Sequence, residues 1–123
     1  MRGEFYRINE LDSGIMRKLA PGLVARIFPG DQSMLSIVAV ASYGQGPVHQ
    51  HAEEQWGMVL AGGGVRVQDG VEVIVRVGDF WRTPGGISHG FKAGPDGATL
   101  LDIFSPPRPE YARSAPWNAL HRG

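Results

Sequence analysis

Hydrophobic positions recur at every second residue over much of this chain, the period of a β-strand whose side chains alternate between two faces. From Met34 onward, Leu35, Ile37, Ala39 and Ala41 fall on one face and Ser36, Val38, Val40 and Ser42 on the other. Both faces are largely apolar, which predicts a strand inside a sandwich or barrel. The alternation returns in Val65 and Val67, then in Val71, Val73, Val75 and Val77, on either side of Asp69-Gly70. That dipeptide accepts the positive φ angles of a type I′ turn, so the segment predicts a tight hairpin. Further strands are predicted at residues 55–61 (ended by the triple glycine 62–64), 80–83, 88–93 and 98–104, with a turn at Gly94-Pro95-Asp96-Gly97 between the last two.

Little is periodic before Gly30, so residues 1–29 read as an N-terminal arm with one short strand at 23–28. Such an arm covers an edge strand or reaches a partner subunit. After Phe104 the chain is proline-rich, which predicts an irregular tail over 105–123 with at most a helical turn near 110–114. The expectation is one domain over 1–123 with its core at about 30–111. Seven or eight short strands, with no long helix and no linker between them, predict an all-β sandwich or barrel.

Composition agrees: 18 Gly and 9 Pro in 123 residues are more than a helical protein tolerates. The absence of cysteine excludes disulfides and thiolate metal sites. Twelve basic residues balance twelve acidic ones and are scattered along the chain, which argues against a nucleic-acid binder. No apolar run has the length of a membrane span, and the first 14 residues contain no secretory h-region. A cytoplasmic location with no membrane partner is therefore expected.

The candidate chemistry lies in four places. His49 and His51 stand at i and i+2, on one face of a strand, as a chelating pair must. Gln55 follows four residues after His51, and His89 lies beyond a Pro84-Gly85-Gly86 turn. Three imidazoles and one oxygen suit a single divalent transition metal, with Mn, Fe, Co, Ni, Cu and Zn all acceptable to such donors. Glu53 and Glu54 are alternative oxygen ligands. Asp102 is a carboxylate in the apolar run 100–104, costly unless paired or used. It is either a general acid/base beside the metal or an ion-pair partner of Arg108 or Arg82. Trp56, Met58, Phe80, Trp81 and Phe91 read as core in preference to pocket.

The spacing of these residues resembles the two motifs of the cupin family. His49-Gln50-His51, Gln55 in the usual glutamate place, and Gly62 six residues on meet the first; Gly78, Pro84, Gly86 and His89 meet the second. Gly44 is displaced by one residue, and Ala93 stands where the second motif ends in Asn. The resemblance implies a double-stranded β-helix barrel, jelly-roll-like and commonly dimeric, holding one metal ion. The stretch from His49 to Gly62, with Leu101-Asp102-Ile103-Phe104-Ser105-Pro106-Pro107-Arg108-Pro109-Glu110-Tyr111, is similar to the KdgF-type small cupins of pectin degradation. That similarity implies a metal-dependent isomerase that ketonises 4,5-unsaturated monouronates from pectin or alginate. It implies metal ligation by His49, His51, Gln55 and His89. Catalysis would fall to Asp102 and Arg108, with Phe104 and Arg108 binding a carboxylated sugar. A cupin dioxygenase and a non-catalytic module binding a small acid or sugar are the competing readings.

Overall fold

The computed structural model describes residues 4–112. Eight strands run in chain order: β1 (Ile15–Ala20), β2 (Leu23–Pro29), β3 (Met34–Val40), β4 (Gln45–His49), β5 (Glu54–Gln68), β6 (Val71–Arg76), β7 (Phe80–Thr83) and β8 (His89–Ser105). There is no helix among the described residues, and every pairing is antiparallel. The path β1-β2-β3-β8-β5-β6 has β4 joined to β8 and β7 joined to β5.

Strands β5 and β8 are long because each serves two sheet segments. The first half of β5 lies between β7 and the second half of β8, which in turn pairs β3. Its second half lies between β6 and the first half of β8, which in turn pairs β4. The two segments face each other across a core of Leu23, Ala25, Ile27, Met34, Val38, Val40, Val59, Val75, Phe91, Ala93, Ala98, Leu100 and Phe104.

Three expectations change. Residues 15–29 belong to the sheet, and Ala25 and Ile27 are fully buried, so the core begins well before residue 30. What precedes β1 does act as an arm, folding over the outer face of β2: Tyr6 packs on Phe28 at 4.6 Å, and Arg26 donates to the Gly14 carbonyl. Gly62–Gly64 does not end its strand. Gly62 takes φ +68°, and the chain bends there without leaving its partners. The turn expected at residues 94–97 is an excursion within β8: Gly62 pairs Ala98 and Gly64 pairs Ala93, so those four residues stand opposite Gly63 alone. Backbone bonds from flanking strands keep the strand going where local glycine content favours a break.

The tail turns once, with the Tyr111 and Ala112 amides bonding to the Arg108 carbonyl; Ser114 and the remainder of the expected tail lie outside the described residues. The Asp69-Gly70 hairpin forms as read, both residues having positive φ.

A Cβ at Gly62 would sit 2.1 Å from the Gly97 carbonyl oxygen in a backbone region that L side chains rarely adopt. Gly62→Ala is therefore expected to destabilise the fold by about 2 kcal/mol or more, read as a fall in the urea midpoint.

Candidate metal centre

The two histidine motifs meet because β4 pairs the start of β8, with His49 opposite His89. His51 lies past the end of β4, so strand parity does not place it as expected. Instead the Pro84-Gly85-Gly86 turn holds its loop. The Gly86 amide donates to the His51 carbonyl at 2.8 Å, and a Cβ on Gly85 would stand 2.2 Å from the Ala52 carbonyl. The second motif's glycines thus fix the first motif's second histidine. The potential ligand atoms of His49, His51 and His89 all lie within 4.8 Å of one another.

Each imidazole faces a backbone carbonyl through Nδ1: His49 to Pro47 at 3.0 Å, His51 to Glu53 at 3.0 Å, His89 to Ile87 at 2.9 Å. A carbonyl only accepts, so in each ring when neutral Nδ1 carries the hydrogen and Nε2 presents a lone pair. His89 is 2% exposed and its Nε2 has no hydrogen-bond partner. Burial holds its pKa down to about 4 and lowers that of His51, whose second cause is the Arg108 charge. His51 and His89 are therefore neutral at physiological pH.

Gln55 Oε1 lies 3.0 Å from His51 Nε2, and the same amide donates to the Asp102 carboxylate. Only its NH2 end can serve Asp102, so its oxygen meets the histidine lone pair. Two acceptors at that distance repel unless a cation lies between them, and with an orphaned buried Nε2 beside them this donor set fits a metal ion. Glu53 lies on the far side, its carboxylate 3.5 Å from His51 Nδ1, and Glu54 is bonded to Arg82.

A cavity of about 70 Å³ is lined by His49, Gln55, His89, Asp102, Phe104 and Arg108 among others. It meets a vestibule of about 270 Å³ through shared walls that include His49, Arg108 and Tyr111, with Arg17 and Lys18 at the outer edge. Asp102 is buried, and burial raises its pKa to about 6 against the opposing charges of Arg66 and Arg108. Neither expected ion pair of Asp102 forms: Arg82 is held by Glu54, and Arg108 lies 3.4 Å from Glu110. The Arg108 guanidinium is buried 4.1 Å from the Tyr111 ring centre and 5.5 Å from that of Phe104, its Nε without a partner.

Sequence reasoning missed Arg66. It lines the same cavity, is 6% exposed, donates to Thr83 Oγ1 at 2.7 Å, and has its pKa lowered to about 10 by burial. In the sequence it stands between Val65 and Val67, where a charge reads as the outward face of an alternating strand. Trp56 and Phe80, read as core, are 43% and 68% exposed, while Phe91 is core and Trp81 packs against it.

An all-β barrel that gathers three imidazoles at one end, from the buried His89 through the half-buried His51 to the exposed His49, defines a class of small proteins able to hold a metal at the mouth of the barrel. The chain belongs to the cupin family: the model described as "Cupin domain" matches residues 36–104, more than half of its length. Among solved structures it resembles an RmlC-like cupin from Shewanella frigidimarina NCIMB 400, with 24% identity and a TM-score of 0.77 over 89% of this chain and 97% of that one. It also resembles KdgF from Halomonas sp., with 24% identity and a TM-score of 0.77 over 88% and 97%. A third likeness is to oxalate decarboxylase from Bacillus subtilis, with 21% identity and a TM-score of 0.69 over 78% of this chain and 28% of that one. At these identities the likeness is one of fold. No curated protein matches the sequence.

Proposed function

We propose that this cupin is a metal-dependent isomerase that ketonises and linearises 4,5-unsaturated monouronates, with His49, His51, Gln55 and His89 as metal ligands. The observation that carries the reading is the shared cavity: Gln55, Asp102, Phe104 and Arg108, separated in sequence, all line the space beside His49 and His89. The cavity of about 70 Å³ together with the vestibule of about 270 Å³ that it meets has the scale of a monomeric sugar acid. The similarity to KdgF-type sequences around Gln55 and in the run from Leu101 to Tyr111 supports the same substrate class.

A bound divalent ion would supply Lewis-acid polarisation of the substrate's oxygens. The chain's own residues do the rest. Arg108, buried and with Nε unpartnered, grips a carboxylate by charge-assisted hydrogen bonds. Arg17 and Lys18 at the vestibule favour entry of an anion. Asp102, with its pKa near 6, can take a proton from oxygen and return it to carbon at neutral pH. The Phe104 ring, T-shaped against His51 at 5.6 Å, supplies an apolar wall to the sugar face.

The test is the ultraviolet absorbance of the conjugated double bond. Metal-loaded protein is expected to bleach it with pectin- or alginate-derived unsaturated monomers. Unchanged absorbance with both, or oxygen uptake with a catechol, thiol or diketone in its place, would overturn the proposal.

A further inference from the structure

The inner face of β6 is only partly covered. Register pairs Val71 with Gln68, Val73 with Arg66 and Val75 with Gly64, and residues directly opposite one another share a face. Val75 is buried in the core on that face, yet Val73 and Val71, next along it towards the Asp69-Gly70 turn, are 52% and 61% exposed. The cause is topological. Strand β6 pairs only the second half of β5 and β7 only the first half, so they end opposite sheet segments and do not pair with each other. The seam between them opens as a groove of about 790 Å³, within the range of small-molecule sites. The three valines wall one side, and Trp81, Pro84 and Ile87 wall the other. Arg66, buried and of the same inward parity, lines both this groove and the metal cavity and so stands between them.

We infer that this groove is a second binding site, for an apolar monocarboxylic acid whose carboxylate meets Arg66 and whose hydrocarbon body lies along the valines and Trp81. The polar groups of the groove select that ligand. Thr83 Oγ1 donates to Gln68 Oε1 at 2.6 Å, the Gln68 amide donates to the Arg82 carbonyl at 2.8 Å, and Arg66 Nη2 donates to Thr83 Oγ1 at 2.7 Å. Gln68 and Thr83 are thus satisfied by their neighbours. Arg66 is not: its Nε has no partner, and among the described residues it forms no ion pair, with the charge of Asp102 reaching it only from the metal cavity. A buried guanidinium without a counter-ion is costly, and a carboxylate relieves it through charge-assisted hydrogen bonds. The walls offer little to a sugar's hydroxyls, since the unpartnered Trp81 Nε1 is turned against Gly57. Asp69 and Asp79 also line the groove and repel a second anionic group. One carboxylate on an apolar body therefore fits where an oligouronate or a nucleotide does not.

Titration calorimetry of the metal-loaded protein with decanoate, below its micelle-forming concentration, is expected to show one saturable site. Decanoate should bind at least about tenfold more tightly than 1-decanol, which has the same body and no charge for Arg66. Val73→Glu places a carboxylate in the groove at an exposed position, so the fold should keep the circular-dichroism melt of the parent while decanoate affinity falls at least about tenfold. Ile74→Glu makes the same charge change on the opposite face of the same strand and is expected to leave binding intact. Absence of a saturable site, or decanol binding as tightly as decanoate, would overturn the inference. So would decanoate binding that survives Val73→Glu, as a carboxylate held by the metal would, or binding that Ile74→Glu weakens equally. Because the readout is binding, failure of the uronate reaction would leave the result untouched.

Discussion

Asp102→Asn is expected to lower activity by a factor of about 10² to 10⁴ while making the metal-free protein more stable at pH 7. The catalytic loss follows from removing the group placed to move the proton. The gain follows from burial. Asp102 ionises near 3.8 when unfolded and near 6 in the fold, so the fold binds the extra proton between those values. Its favourable contribution is complete below about 3.8 and is lost as pH rises through 6, by roughly 3 kcal/mol. Asparagine carries no charge at any pH and avoids that penalty. Urea unfolding of the metal-free proteins at pH 7 should favour the variant by about 1 to 3 kcal/mol, with the difference shrinking towards pH 4. An advantage that is absent at pH 7, or equal at both pH values, would contradict the burial argument.

His89→Ala is expected to reduce metal retention at least about a hundredfold, because it removes the innermost imidazole of the cluster. Elemental analysis of protein purified without added metal measures this directly, and a variant that retains one equivalent would exclude His89 as a ligand. The same substitution alters the pH profile of the metal-free fold. His89 titrates near 6.5 unfolded and near 4 folded, so its contribution is complete above 6.5 and is lost as pH falls towards 4. Asp102 varies in the opposite sense over nearly the same interval. In the wild type the two slopes oppose one another, and the lowered pKa of His51 adds to that of His89. Without His89 less opposes the Asp102 slope, and the variant should lose less stability than the wild type as pH falls from 6 to 4.

Much of the fold was legible because strand period and turn chemistry are local. The valine alternation around Asp69-Gly70 could form little else, and Met34–Val40 was marked as interior by its two apolar faces. Strand β1 was overlooked although Pro21-Gly22 signals its turn, with Gly22 at φ +79°, because Arg17 and Lys18 blur its alternation. The continuity of β5 and β8 through their glycines was not local at all. It depends on partners on either side, which single-strand reasoning does not contain. The histidine cluster is visible in spacing, yet the position of His51 depends on a backbone bond from Gly86 in the other motif, which spacing along one strand does not contain. Asp102 yielded to parity. Arg66 stayed hidden because a charged residue in an alternating strand reads as outward until the inward face is known.

The excursion at residues 94–97 divides β8 into two lengths that are indexed separately. His89 takes its register from β4, while Asp102 and Phe104 take theirs from β3 and from the first half of β5. The four residues between them join two rulers, tied to the chain after β3 by the Tyr43 amide on the Gly94 carbonyl and the Ser42 hydroxyl on the Pro95 carbonyl. Gaining or losing a residue there disturbs those ties and leaves both registers in place, whereas the same change within 98–102 would turn Asp102 out of the cavity. The chemistry at the two ends of β8 can therefore drift independently in evolution, and loop-length variation in this fold should gather at that joint.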